Sequence, residues 1–89
     1  MHTRRRIKVD LIGPVAHLAG LKTLEIEFRE EREDVKLSDL LEILSNRLPQ
    51  LREYIEEWSN NPGAFIISVD GEVVRDAGRV LKGGERVLI

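Results

Sequence analysis

The sequence predicts an α+β domain in which helical material from the middle of the chain covers one face of a sheet. Two patterns carry this prediction: apolar and polar residues alternate near both ends of the chain, and leucines recur at helical spacing in between. Runs of strands around one helical block are typical of the α+β class. With 89 residues, no internal repeat and no linker, the chain has the size of one domain.

Two strands are predicted in the first third of the chain. From Arg6 to Ile12 every second residue is apolar, the period of a strand with one buried face, and Gly13 and Pro14 then end it. The stretch Val15–Leu21 is apolar but short, so we expect a packed loop or a single helical turn. The second strand is Thr23–Arg29, and the charged residues 29–34 form the long connection of a hairpin with nothing to bury.

The middle of the chain is predicted to be helical in two pieces. Ser38 is a good N-cap residue, and Asp39 is favourably placed near the positive end of a helix. Pro49 ends this first helix, because the residue before a proline is pushed out of the α region. A second, shorter helix begins near Pro49 and ends in the turn-forming residues 59–63. The residues on the two apolar faces are Leu37, Leu40, Leu41, Leu44 and Leu48, then Leu51, Tyr54, Ile55 and Trp58.

The last third of the chain is predicted to return to strands. Phe65–Val69 alternates, and the following Asp70 and Gly71 are the preferred residues of a two-residue hairpin turn, both of which need positive φ. Glu72–Val74 is then a short edge strand. Residues 75–82 are predicted to be irregular, anchored by two apolar residues before a Gly-Gly turn.

The final residues, Arg86–Ile89, are predicted to form an interior strand of the sheet. They follow a tight turn built on Gly83 and Gly84, whose role is to supply positive φ. A short surface tail buries too little to offset the entropy of ordering it and is usually polar. An apolar ending therefore indicates a strand enclosed by neighbours.

Composition excludes several classes of function. Charged residues make up 34% of the chain but the net charge is −2, so the surface is of mixed sign and nucleic-acid binding is not expected. There is no cysteine and the two histidines are unrelated in position, so we expect neither a disulfide framework nor a metal site. No apolar run approaches the roughly 18–20 residues of a membrane span, which predicts a soluble, cytoplasmic protein. Ten arginines against four lysines favour a heat-adapted source.

No residue is predicted to be catalytic. His17 is more simply a surface residue, because no cysteine or serine nucleophile pattern accompanies it. The acidic residues Glu30, Glu31, Glu33 and Asp34 lack the alternating spacing and glycine of a calcium loop, so a solvated turn is the better interpretation. Trp58 is predicted to lie in the core and not on a base-stacking surface. The three arginines 4–6 are interpreted as a solvated end.

Several segments together resemble a known family. The strongest are Val69–Val74, which reads V-D-G-E-V-V, and Val80–Ile89, which reads V-L-K-G-G-E-R-V-L-I; Leu18–Gly20 and Ser38–Leu41 match earlier parts of the pattern. The combination resembles the sulfur-carrier branch of the ubiquitin-like β-grasp fold, the family of the molybdopterin synthase small subunit. Asp70 replaces the asparagine usual there, and a K-G-G-E-R-V turn stands where the family has D-G-D-E-V.

The resemblance implies a mixed sheet packed on one main helix and a protein that is not an enzyme on its own. Family members end in a flexible Gly-Gly tail whose carboxylate an ATP-dependent activating enzyme adenylates; it becomes a thiocarboxylate and donates sulfur. The implied partners are that activating enzyme and either a molybdopterin synthase large subunit or a tRNA-thiolating enzyme, with no cofactor. Here the only Gly-Gly pair, Gly83–Gly84, is internal. The expectation is either that the tail is missing from this sequence or that this member does not carry sulfur.

The open face of the sheet is the remaining candidate surface. If alternate residues of the last strands face the helix, Ile66 and Leu88 point to the open face and, with Ile89, are the candidate residues of a partner interface. Scattered surface hydrophobic residues are an equally good interpretation, and a β-bulge would exchange the two faces. The alternative function is a β-grasp protein-interaction module without a tail or sulfur transfer. An RNA-binding β-grasp domain is a third class, which the charge disfavours.

Overall fold

The computed structural model describes residues 4–29, 35–61 and 66–89. Within these ranges the chain forms seven strands, three α-helices and one 3-10 turn. In chain order they are β1 (Arg4–Asp10), α1 (Pro14–Ala19), β2 (Thr23–Arg29), β3 (Val35–Lys36), α2 (Leu37–Arg47), the 3-10 turn Pro49–Leu51, α3 (Arg52–Asn60), β4 (Ile67–Val69), β5 (Glu72–Val74), β6 (Val80–Leu81) and β7 (Arg86–Leu88).

Five strands form one mixed sheet in the order β2-β1-β7-β4-β5. The first and last strands of the chain, β1 and β7, lie side by side and parallel, and every other pairing in this sheet is antiparallel. The α+β class is confirmed, and so is the interior position of the final strand, which has β1 on one side and β4 on the other. A short second sheet pairs β3 with β6.

The core lies between this sheet and the helices. Alternate residues of the central strands point into it, so that Ile7, Val9 and Val87 are fully buried. The leucine face of α2 covers them, as its spacing predicts, and Trp58 of α3 is fully enclosed as well. The Trp58 indole N–H has no hydrogen-bond partner among the described residues. The Pro49 boundary between the two helical pieces is confirmed.

The start of α2 differs from the prediction. The helix begins at Leu37, so Ser38 lies inside its first turn and is not the N-cap. The N–H groups of Leu37 and Ser38 donate to the backbone carbonyls of Arg79 (2.8 Å) and Ala77 (2.9 Å), which come from a distant part of the chain. Asp39 lies in the first turn, near the positive end of the helix, as predicted, and its carboxylate also accepts the Lys36 N–H at 2.9 Å. Tertiary contacts therefore satisfy the helix end that a local side chain was predicted to cap.

Two apolar stretches carry regular structure; one was predicted to be a packed loop or a single helical turn and the other to be irregular. Val15–Leu21 contains most of the short helix α1, which ends at Ala19 and is capped by Gly20 in the left-handed conformation. Within the segment 75–82, Val80–Leu81 forms β6 and pairs with β3, and only Leu81 of the two is buried. The strand β1 spans Arg4–Asp10 in place of the predicted 6–12.

The two turns predicted in the last third of the chain are present, whereas residues 59–60, predicted to belong to a turn, are the end of α3. Asp70 and Gly71 both have positive φ, 51° and 83°, and connect β4 to β5 with two residues. Gly83 and Gly84 also have positive φ before β7. The connection 30–34 with its acidic cluster, the breaker residues 62–63 and Phe65 lie outside the described residues. No described helix has the length and apolar character of a membrane span.

Candidate partner-binding site

An apolar depression of about 370 Å³ lies where the end of β7, the start of α1 and helix α3 meet. The three residues predicted from the sequence to form a partner interface all line it. We call this surface the apolar depression; its lining residues are Ile12, Pro14, Val15, Tyr54, Ile66, Leu88 and Ile89.

The backbone of the last strand sets the floor of the depression. The Ile89 N–H donates to the Asp10 carbonyl, and the Ile12 N–H donates to the Ile89 carbonyl, both at 2.9 Å. Because side chains alternate along a strand, Val87 points into the core, while Leu88 points to the open face and is half-buried. Ile89 lies on the same side of the sheet as Val87 and is only 8% exposed. Leu88 is thus a surface residue held on a rigid backbone, and Ile89 is part of the core rim.

Two large apolar side chains beside Leu88 are left in water. Ile66, which directly precedes β4, is 67% exposed, and Ile12, which follows β1, is 55% exposed. The sequence alone identified Ile66 but not Ile12. Ile12 is a second consecutive apolar residue after Leu11, just before the predicted strand ends at Gly13, and this position could have identified it as a residue on the open face. Adjacent exposed apolar groups are typical of a surface that a partner covers.

Charged residues border the depression on the open face. The Arg86 guanidinium contacts the Asp10 carboxylate at 2.6 Å, and the Thr23 hydroxyl donates to the same carboxylate at 3.1 Å. The Arg86 N–H donates to the Asp70 carboxylate at 2.8 Å, which ties the hairpin turn to β7. The open face is therefore divided into an apolar part around Leu88 and a charged part around Arg86.

A second ion pair lies beyond the sheet edge formed by β5. Arg79 contacts the Glu72 carboxylate at 3.3 Å, and this hydrogen bond and charge raise the pKa of Arg79. The guanidinium is therefore ionised at any physiological pH. Val73 of β5, which pairs with Ser68 of β4, is exposed.

The described residues were predicted to hold neither a catalytic nor a metal site, and the structure tests the second of these. No three His, Cys, Asp or Glu side chains among them lie close enough together to hold a metal ion. His17 is exposed on α1 beside Lys22, away from Leu88. The Gly83–Gly84 pair is fixed in a turn, in which the Glu85 carboxylate accepts the N–H groups of Lys82 and Gly83. The feature on which a functional proposal can rest is therefore the apolar depression.

Comparison with known proteins supports the fold through structure. No protein-family model matches the sequence, and no curated protein matches it either. Among solved structures, a protein of Pyrococcus furiosus provisionally assigned as molybdopterin converting factor, subunit 1, is 27% identical, with a TM-score of 0.73 over 94% of this chain and 93% of that one.

Two archaeal modifier proteins are similar in the same way. Small archaeal modifier protein 1 of Methanosarcina acetivorans is 21% identical, with a TM-score of 0.72 over 97% of this chain and 91% of that one. Its counterpart from Haloferax volcanii is 19% identical, with a TM-score of 0.69 over 94% and 93%. The resemblance drawn from the sequence is thus confirmed, and the chain has the ubiquitin-like β-grasp fold of these modifier and converting-factor proteins.

Proposed function

We propose that the protein is a sulfur-carrier-like protein that works as a co-substrate or subunit for partner enzymes and not as an enzyme alone. The observation that carries this proposal is the position of β7, whose end lies in the middle of the sheet and opens on the apolar depression. The partners would be an ATP-dependent activating enzyme and either a molybdopterin synthase large subunit or a tRNA-thiolating enzyme. The likeness to the Pyrococcus furiosus protein supports this choice.

A carrier of this kind needs a rigid body and a chain end that leaves it beside a recognised surface. Both hydrogen-bonding sides of β7 are occupied, by β1 and by β4, so the strand is held firmly. Residues following Ile89 would leave the sheet next to Leu88 and Ile66. A partner that covers these side chains is therefore positioned to receive the terminal carboxylate, which the carrier function requires to be adenylated and converted into a thiocarboxylate.

Intact mass tests sulfur carriage directly. The protein is purified from its own source, once from cells that contain the activating enzyme and once from cells in which that enzyme is deleted. Each measured mass is compared with the mass calculated from the sequence. We expect a chain that ends in Gly-Gly and, only when the activating enzyme is present, a mass increase that matches the exchange of one oxygen for sulfur. A protein without a glycine end and without this increase would remove sulfur carriage.

A second function, a β-grasp interaction module without sulfur transfer, is favoured by the exposure of Ile12 and Ile66. These side chains form an apolar surface whose use does not depend on a tail. Leu88→Asp should weaken capture of a partner by about tenfold or more, as expected for a residue at the centre of an interface. Val80→Asp makes the same change at an exposed apolar residue outside the depression and is the matched control.

The two measurements together separate the candidates. Loss of partner capture in Leu88→Asp together with a thiocarboxylate supports the carrier. Loss of capture with no thiocarboxylate supports the module. Equal capture by wild type, Leu88→Asp and Val80→Asp would contradict the apolar depression as the partner site, whatever the chain end does.

A further inference from the structure

We propose that the outer edge of β2 receives an extended, basic segment of a partner protein by strand addition. The edge strands of the main sheet are β2 and β5, and they differ in length, seven residues against three. Within the described ranges, no strand pairs with β2 on the side away from β1. An edge strand presents backbone N–H and C=O groups that an added strand can pair with.

The register of β1 and β2 identifies which backbone groups point outward. The Leu11 N–H donates to the Lys22 carbonyl at 2.8 Å, so this pair faces inward between the strands. In an antiparallel ladder, hydrogen-bonded and non-hydrogen-bonded residue pairs alternate. Leu24 and Ile26 therefore form backbone hydrogen bonds with β1. The N–H and C=O groups of Thr23 and Glu25 therefore point away from β1.

Contacts on the other side of β1 agree with this assignment. Lys8 lies opposite Glu25, and its N–H donates to the Glu85 carbonyl at 3.1 Å, toward β7. Asp10 lies opposite Thr23, and its carbonyl accepts the Ile89 N–H, again toward β7. Since Lys8 and Asp10 direct their backbone groups away from β2, their opposite residues on β2 direct theirs to the edge.

A cationic donor already lies against this edge. Arg47, in the last turn of α2, places Nη1 3.5 Å from the Glu25 carbonyl. This distance is at the long limit for a hydrogen bond, so the interaction is weak. The N–H of an added strand could approach the same oxygen more closely and displace the Arg47 side chain, which is itself exposed. The contact shows that the Glu25 carbonyl is accessible to a donor from outside the sheet.

The side chains of β2 favour a basic occupant over a second copy of this chain. Glu25 is exposed on the open face, and between Thr23 and Phe28 there is no lysine or proline, the residues that commonly protect sheet edges. An antiparallel self-pairing centred on Glu25 would place two glutamates opposite each other, which is unfavourable. A lysine or arginine in that place is favourable. On the other face, half-buried Leu24 offers contact to an apolar residue of the occupant.

A peptide of alternating lysine and valine is the probe. Amide hydrogen exchange, read by NMR, should slow at Thr23 and Glu25 as the peptide is added, while the amides of Leu24 and Ile26, already bonded to β1, stay unchanged. The same peptide with glutamate for lysine should leave all four amides unchanged. No slowing with the lysine peptide, or equal slowing with both peptides, would overturn the proposal.

Two variants of Glu25 test the edge: one removes the backbone donor together with the carboxylate, and the other reverses the charge and keeps the donor. Glu25→Pro removes the outward N–H and no bond to β1, so it should abolish the slowing at Thr23. Glu25→Lys should weaken binding by about fivefold through lost attraction and new repulsion. Glu56→Lys, the same charge change at an exposed residue of α3, is the matched control and should bind as wild type.

The emission of Trp58, the one tryptophan of the chain, reports whether each variant is folded. If Glu25→Pro does not fold, the comparison of Glu25→Lys with Glu56→Lys decides whether the peptide binds at the β2 edge. Binding that Glu25→Lys and Glu56→Lys reduce equally would reflect net charge alone and would overturn the proposal. Peptide-induced changes that map to Ile66 and Leu88 in place of Thr23 would overturn it as well.

Discussion

The two faces of β7 use neighbouring residues of one short strand for different purposes. Val87 points toward the helices and is fully buried, whereas Arg86 and Leu88 point to the open face, where one is exposed and the other half-buried. The helix side is closed by the protein itself. On the open side, Leu88 is half-buried and Ile66 is 67% exposed. Stability is therefore concentrated on the helix face, and the open face is the one proposed for recognition.

The largest expected difference is between Val87→Asp and Leu88→Asp. A carboxylate at position 87 would be buried without a partner, and we expect a loss of about 4 kcal/mol or more in the free energy of unfolding, enough to unfold a domain of this size. At position 88 the carboxylate can reach water, and the loss should be about 1 kcal/mol or less. Urea unfolding followed by Trp58 fluorescence measures both. Similar losses for the two variants would break the comparison of the two faces.

The hairpin turn that anchors β7 gives the next largest effect. Asp70 has φ of 51° and its carboxylate accepts the Arg86 N–H, so Asp70→Ala should cost about 1–2 kcal/mol through strain and the lost hydrogen bond. Asp70→Asn keeps an acceptor oxygen and tolerates the left-handed conformation, so its cost should be about 0.5 kcal/mol or less. Thermal unfolding of the three proteins tests this, and an equal cost for both variants would contradict it.

The start of α2, the helix that covers the buried face of the sheet, gives a prediction for the stability of that side. Asp39→Ala removes the acceptor of the Lys36 N–H and should cost about 1 kcal/mol, the usual value of a lost helix cap. Ser38→Ala should cost less than about 0.5 kcal/mol, because Ala77 and not the Ser38 side chain satisfies this helix end. Chemical unfolding of both variants is the measurement. A larger cost for Ser38→Ala would restore the capping role predicted from the sequence.

The smallest effect belongs to the charged part of the open face. Arg86→Ala removes the ion pair with Asp10, in which Arg86 is exposed and Asp10 is half-buried; surface pairs contribute about 0.2–1 kcal/mol. The cost should shrink further at high salt, because mobile ions screen the attraction. Unfolding at low and high ionic strength tests the prediction. A cost above that of Asp70→Ala would mean that the open face carries more of the stability than its exposure indicates.

Local patterns in the sequence were sufficient for much of this architecture. Alternation located β2 at its observed residues, leucine spacing located α2, and the apolar ending placed β7 inside the sheet. These features succeed because each depends on one segment and one buried face. The family resemblance added a mixed sheet packed on one main helix, which the solved structures support at the level of the fold.

Features that depend on distant segments could not be obtained in this way. Ser38 has the residue type of an N-cap, but the carbonyls of Arg79 and Ala77 accept the N–H groups of Leu37 and Ser38 at this end of the helix. The strands β3 and β6 have two residues each, too few for any period to be visible. Ile12 joins Ile66 and Leu88 because the chain continues past β1 alongside the end of β7, where the Ile12 N–H donates to the Ile89 carbonyl. The role of Ile66, Leu88 and Ile89 as a partner interface stays a prediction.

The side-by-side parallel arrangement of β1 and β7 has a mechanical consequence. A pull that separates Arg4 from Ile89 acts along both strands in opposite directions, so the hydrogen bonds between them are loaded together in shear. They cannot be opened one after another, as they would be in a hairpin pulled from its open end. An unfoldase that pulls this protein from its carboxyl end would meet its main barrier at the pairing of β7 with β1. The unfolding rate under force would report that barrier.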